Sequence, residues 1–291
     1  MLQGAMTAMI TPLRDGQVDF DRLRRNVHYQ IEQGIDGLVP VGTTGESPTL
    51  SHQEHQQVIE CVVKAAGGRV KVIAGTGSNA TAEALELTGH AKSVGADAAL
   101  VVNPYYNKPT QEGMYRHFVM IADLGLPVVL YNIPGRTAVA LTCPTIARLA
   151  AHGNIVGIKE ATGDMDTASQ IATTCDPATF SIVSGDDSLT LPLMAIGGKG
   201  VISVLSNLLP QRVKALVRAA GADDFATARQ IHHELFGLFR VMFIETNPIP
   251  IKAAMAMAGM DSGELRLPMC PMAAENRDAL GQALRQGAVI D

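Results

Sequence analysis

The sequence predicts an α/β protein: a (β/α)₈ TIM barrel followed by a C-terminal helical extension. Three observations carry that prediction. Short runs rich in Val, Ile and Ala recur along the 291 residues with turn residues behind them. Between the runs lie stretches with helical apolar spacing, and this alternation is the sequence form of βαβ units. The rounds number eight, which is the count and order of a barrel that typically takes about 250 residues.

Taken in order, the first strand is predicted over Ala5 to Thr11 and its helix over Asp19 to Gln33. Gly37 to Val41 precedes a helix over Ser51 to Ala66, which opens on a capping box formed by Ser51 and Glu54. The next two strands, Val70 to Gly75 and Ala98 to Asn103, lead into helices over Thr81 to Val94 and Gln111 to Leu124. Val128 to Asn132 and Val156 to Glu160 are followed by helices over Thr142 to Ala151 and Asp164 to Cys175. The last two rounds pair Ser181 to Ser184 with Asp187 to Ala195, and Gly200 to Val204 with Pro210 to Ala220. Each strand run is nearly continuously apolar, as a parallel strand covered on both faces requires. Gly34, Gly95 and Gly221 stand where helix C-caps favour positive φ. A doubly wound sheet would bring a glycine-rich turn after its first strand, and here that position reads Thr11-Pro12-Leu13-Arg14. The barrel is assigned to residues 1–222. Residues 223–291 show three helical patterns and no strand, broken at Asn247 to Pro250 and again at Leu267 to Pro271.

Composition narrows the function. Hydrophobic residues make up 47% of the chain, with five Tyr, seven Phe and no Trp, so the core is aliphatic and disorder is excluded. A net charge of -5, with 23 Lys and Arg spread out in no basic run, argues against a nucleic-acid partner. The sequence offers no signal-peptide pattern and no apolar window long enough for a membrane span, so a cytoplasmic location is expected. Cys61, Cys143, Cys175 and Cys270 lack metal-site spacing and read as reduced thiols.

In a barrel of this kind the reactive groups stand at the C-terminal ends of the strands. Lys159 interrupts the apolar run Asn154 to Ile158. A buried amine sheds its proton, and a neutral amine is the nucleophile that condenses with a ketone to a Schiff base. The alternative is a lysine whose head reaches the rim or pairs with Glu160 or Asp186. Tyr131 stands at a strand end and Tyr106 just after one, and they read either as proton carriers or, for Tyr105 and Tyr106, as a half-buried rim patch. Gly42-Thr43-Thr44-Gly45 offers amides and hydroxyls to a carboxylate, or is a plain strand-to-helix turn. His52 and His55 have helical spacing but no third ligand nearby in sequence, so no metal is assigned. Asp186 and Asp187 suggest Mg²⁺ only weakly, since the second could cap the next helix. His232 and His233 read as surface or interface residues.

Together, Gly42-Thr43-Thr44-Gly45-Glu46, Tyr131-Asn132-Ile133-Pro134-Gly135-Arg136-Thr137 and Gly157-Ile158-Lys159-Glu160-Ala161-Thr162 resemble the pyruvate-dependent class I aldolase superfamily. The likeness extends through Pro104 to Pro109, Ser184 to Asp187, Gly200 to Val204, Asn247 to Pro250 and Leu265 to Pro268. It implies that Lys159 forms an imine with pyruvate while Thr43, Tyr131 and Tyr106 relay protons, Tyr106 coming from a neighbouring subunit. It further implies that Thr44 and the loop amides hold the pyruvate carboxylate, and that Gly185 and Ile202 form backbone or wall contacts. Arg136 would bind the carboxylate of L-aspartate 4-semialdehyde, in the diaminopimelate route to lysine. No metal or organic cofactor is implied. A homotetramer built as a dimer of dimers is, together with an L-lysine feedback site at Ser47, His52, His55, Asn79, Glu83 and Tyr105. Pro48 departs from the Ala more usual in relatives. The competing members are an N-acetylneuraminate lyase or keto-acid sugar aldolase, disfavoured by Arg136 and the Thr43-Thr44 pair. A catalytically silent binding protein is disfavoured by the complete Lys, Tyr and Thr set.

Overall fold

The structure, a computed structural model, describes residues 2–290. Eight parallel strands close into a barrel: β1 (Gly4–Ala8), β2 (Gly37–Val39), β3 (Lys71–Gly75), β4 (Ala98–Val102), β5 (Val128–Asn132), β6 (Ile155–Glu160), β7 (Ser181–Ser184) and β8 (Gly200–Ser203). Each strand pairs with its sequence neighbours, and β1 closes the ring against β8 with Met6 beside Ile202. The outer helices are α1 (Phe20–Glu32), α2 (His52–Ala66), α3 (Thr81–Ser93), α4 (Gln111–Ala122), α5 (Cys143–Ala150), α6 (Met165–Thr174), α7 (Thr190–Ala195) and α8 (Pro210–Gly221). Three more follow: α9 (Phe225–Val241), α10 (Ile249–Met257) and α11 (Ala274–Gln286). The predicted barrel and helical tail are therefore both present.

Local chemistry sets the boundaries. Asp19 caps α1 by accepting from the Arg22 amide at 2.8 Å, and the Ser51–Glu54 capping box opens α2. Gly34 and Gly95 take positive φ as predicted. Gly221 does not; it ends α8, and Asp223 two residues on takes φ +59. The first strand is shorter than its apolar run, because the chain leaves the barrel after Ala8. It then folds Leu13–Arg14 against Gln17–Val18 in an antiparallel ribbon too short to show as a periodic pattern.

Strand alternation divides the interior in two. Leu38, Val101, Leu130, Ile158 and Val201 face the helices, whereas Val39, Leu100, Val129, Tyr131 and Ile202 fill the barrel. Leu235, Phe239, Ile251 and Leu280 of the tail belong to the same apolar cluster as the residues under the barrel helices, so the tail is packed onto the barrel. All four cysteines are free thiols. Among the described residues no helix is long and apolar enough to cross a membrane.

Candidate active site

Period-2 alternation on β6 sends Ile158 and Glu160 outward and Lys159 inward, beside Tyr131 in the β5–β6 register. Lys159 is only 6% exposed, and its Nζ stands 4.3 Å from the centre of the Tyr131 ring. Gly185 makes room for it. A Cβ there would lie 3.0 Å from Lys159 Cε and 2.6 Å from Ala161 Cβ.

The two carboxylates that sequence offered Lys159 as partners are engaged elsewhere. Glu160, on the outer face, accepts from the Thr162 amide at 2.6 Å and from Asn132 Nδ2 at 3.2 Å, and burial pushes its carboxyl above the usual range. Asp186 accepts from the Ser188 amide at 3.0 Å and so caps the turn before α7, the part sequence gave to Asp187. Asp187 instead accepts from the amides of Val204 and Leu205, each at 3.0 Å, fixing the loop after β8, and burial raises its carboxyl too.

Above Tyr131 opens a cavity of about 220 Å³. Its wall includes Thr43, Ser47, Tyr105, Tyr131 and Arg136, with Gly75 and Gly77 at its sides. Gly75 cannot carry a side chain, since a Cβ would sit 2.6 Å from the Val41 carbonyl. Ile202 is fully buried in the barrel interior with Tyr131. Thr44, next to Thr43 in the turn, is buried, and its Oγ1 accepts from Asn247 Nδ2 at 3.0 Å and retains a proton to donate. Arg136 donates from Nη2 to the Asn247 carbonyl at 3.1 Å. Lys159, Thr44 and Ile202 are buried and, like Gly185, do not line the cavity; neither does Tyr106, which is 90% exposed on a backbone with φ +71.

Beside the cavity, α2 and α3 bring His52, His55 and Glu83 together, with Tyr105 from the loop after β4 near Glu83. His52 Nε2 meets Glu83 Oε1 at 2.6 Å, and Ser78 Oγ donates to the other oxygen. The Ser78 hydrogen bond holds the Glu83 carboxyl below its ordinary range, with His52 assisting. His55 is buried with neither ring nitrogen partnered, and burial pulls its pKa down to about 4. Burial raises the Tyr105 phenol, with the Glu83 charge adding to it. The Asn79 carbonyl accepts from Asn107 Nδ2 at 2.8 Å. Because Ser47, Pro48 and Tyr105 also line the cavity, this cluster adjoins it. No group of three His, Cys, Asp or Glu side chains among the described residues is placed to hold a metal ion.

Sequence reasoning missed the tail's contribution. Lys252 is completely buried and pairs with Glu46 at 2.6 Å, while Asn247 touches both Thr44 and Arg136. The signal was available: Lys252 is a lone charge in the apolar stretch Ile249 to Met257, the same anomaly that singled out Lys159.

A closed parallel barrel with an inward amine at the end of β6, under a wall of hydroxyl, phenol and guanidinium groups, defines a lyase of the class I aldolase type. Within that class the chain belongs to the dihydrodipicolinate synthetase family, whose profile its residues 1–287 match. It is 52% identical over 288 residues to the 4-hydroxy-tetrahydrodipicolinate synthase of Aquifex aeolicus (strain VF5), covering 98% of each chain. The crystal structure of dihydrodipicolinate synthase from Aquifex aeolicus matches with a TM-score of 0.98 at 52% identity over 99% of each chain. That of the enzyme from Cyanidioschyzon merolae with lysine bound matches at 0.96 and 38% identity, again over 99% of each.

Proposed function

We propose that this protein makes 4-hydroxy-tetrahydrodipicolinate from pyruvate and L-aspartate 4-semialdehyde, acting in the cytoplasm in the diaminopimelate route to lysine. The placement of Lys159 against Tyr131, in the barrel and free of any carboxylate, carries this reading. The Lys159 amine adds to the pyruvate ketone, and loss of one water gives the imine. The imine nitrogen is an electron sink, so a C3 proton leaves and an enamine forms. The enamine carbon bonds to the aldehyde carbon of the second substrate, whose oxygen takes up a proton. The amino group of that substrate then adds to the imine carbon and expels Lys159 as the free amine, closing the ring.

Protons at the carbinolamine are moved by Thr43 and Tyr131, which share the cavity wall. The third member, Tyr106, is 90% exposed and does not line the cavity of its own chain; it serves that of a neighbouring subunit, so the active form is an oligomer, a homotetramer arranged as a dimer of dimers. Thr44 and the loop amides hold the pyruvate carboxylate, with Gly185 and Ile202 as backbone and wall contacts. Arg136 holds the carboxylate of the semialdehyde in a bidentate fork. Residues 1–222 carry the chemistry and 223–291 brace it. L-Lysine inhibits at Ser47, His52, His55, Asn79, Glu83 and Tyr105, where the Glu83 carboxylate complements its charged amines; the lysine-bound relative supports this.

The test is borohydride reduction with pyruvate present, followed by peptide mass analysis. The expected product is a reduced pyruvyl adduct on Lys159; its absence would overturn the reading.

A further inference from the structure

The loop after β2 is braced from a distant part of the chain. Glu46 closes the helical turn Thr43–Gly45 in a left-handed conformation, φ +56. One of its carboxylate oxygens meets Lys252 Nζ at 2.6 Å, and the other accepts from the Arg266 amide at 3.2 Å. Lys252 also donates to the Thr11 carbonyl at 3.0 Å. Thr11 in turn donates from Oγ1 to the Gly45 carbonyl at 2.7 Å, and Asn247 donates to Thr44. Thr44, Gly45 and Glu46 are thus each tied to β1's exit or to the tail, with Lys252 as the junction.

A buried ion pair is a poor device for stability, because taking two charges out of water offsets most of their attraction. What such a pair does supply is direction: each charge has one low-energy place for its partner. We propose that the Lys252–Glu46 pair is a positioning device that registers the Thr43–Thr44 turn at the cavity wall. Neither residue reaches the cavity wall. They act through the turn, on the hydroxyls and amides that hold pyruvate. The inference rests on the pyruvate reading above.

The experiment compares wild type, Lys252→Met, Glu46→Gln and the double variant. Two measurements are made on each: the melting temperature, and the pyruvate concentration that gives half-maximal borohydride trapping on Lys159. The single variants strand a buried charge and melt lower. The double variant strands none and recovers most of the melting temperature. Its half-trapping concentration is nevertheless expected to stay about ten-fold above wild type, because small misplacements of binding groups are costly. If trapping recovers along with stability in the double variant, the pair is merely structural and the inference fails. If wild type itself gives no adduct, the Schiff-base reading fails first, and with it the function assigned to the pair.

Discussion

Among the described residues two lysines are buried, Lys159 and Lys252, and they are treated in opposite ways. Lys159 ends a barrel strand with an aromatic face as its neighbour, and among the described residues no carboxylate or carbonyl clamps its amine. Lys252 sits on α10 with no exposure at all, fixed by a carboxylate and a carbonyl. An amine meant to form and release a covalent bond must be available, whereas an ammonium meant to hold a loop must be saturated. The contrast teaches that burial alone does not mark a reactive lysine; the absence of a partner beside a cavity does.

Replacing each lysine with methionine separates the two roles most widely. Lys159→Met is expected to lose at least about a thousand-fold in kcat while keeping its melting temperature, since no ion pair is lost. Lys252→Met is expected to lose about 3–5 kcal/mol of stability, read by denaturant titration, because it removes the cation paired with a buried carboxyl and leaves Glu46 only the Arg266 amide. Equal losses of stability in the two variants would erase the distinction.

A smaller effect separates the two substrates. Arg136→Ala is expected to raise KM for the semialdehyde about 10- to 100-fold, the loss of a charge-assisted fork, while the pyruvate concentration for half-trapping stays within about two-fold. A matching rise for pyruvate would place Arg136 in the first binding step.

The same contrast of free and saturated groups recurs one residue apart on α2. His55 has no partner and is pulled down to about 4; Glu54 is held near 2, first by its hydrogen bonds to Arg266. Both folded values lie below the unfolded ones, so stability falls in acid on account of both: Glu54 loses a favourable pair as it protonates, whereas protonation of His55 is favoured in the unfolded chain and opposed by burial in the folded one. The windows differ. The unfolded chain protonates His55 first, so its contribution, up to about 3 kcal/mol, drains between roughly pH 6.5 and 4. That of Glu54 drains from about 4.5 toward 2. His117, also pulled to about 4 by burial, adds to the first window. Melting curves from pH 7 to 4 should therefore fall, and His55→Gln should flatten the slope; an unchanged slope would mean that His55 is not buried neutral. The least effect is regulatory: Glu83→Ala should abolish inhibition by L-lysine, and inhibition that persists in that variant would move the effector elsewhere.

The fold was legible because every barrel strand is buried on both faces, which writes each one as an apolar run, and because Ser51 with Glu54 and Gly34 mark helix ends by local chemistry alone. The ribbon at Leu13 to Val18 was not legible, since two residues per strand leave no period to read. The exchange between Asp186 and Asp187 escaped because either carboxylate suits a cap, and only the three-dimensional position of the Val204 and Leu205 amides decides between them. Lys159 and Tyr131 were readable from their place at strand ends, whereas Asn247 reaches Thr44 across 203 positions of sequence, and no local pattern encodes that.

That distance has a consequence for how the protein comes into being. A chain emerging from the ribosome presents the Thr43–Thr44 turn and the whole barrel before Asn247, Lys252 and Arg266 exist. The turn that lines the cavity therefore takes its final place only once residues about 200 positions further on have been made.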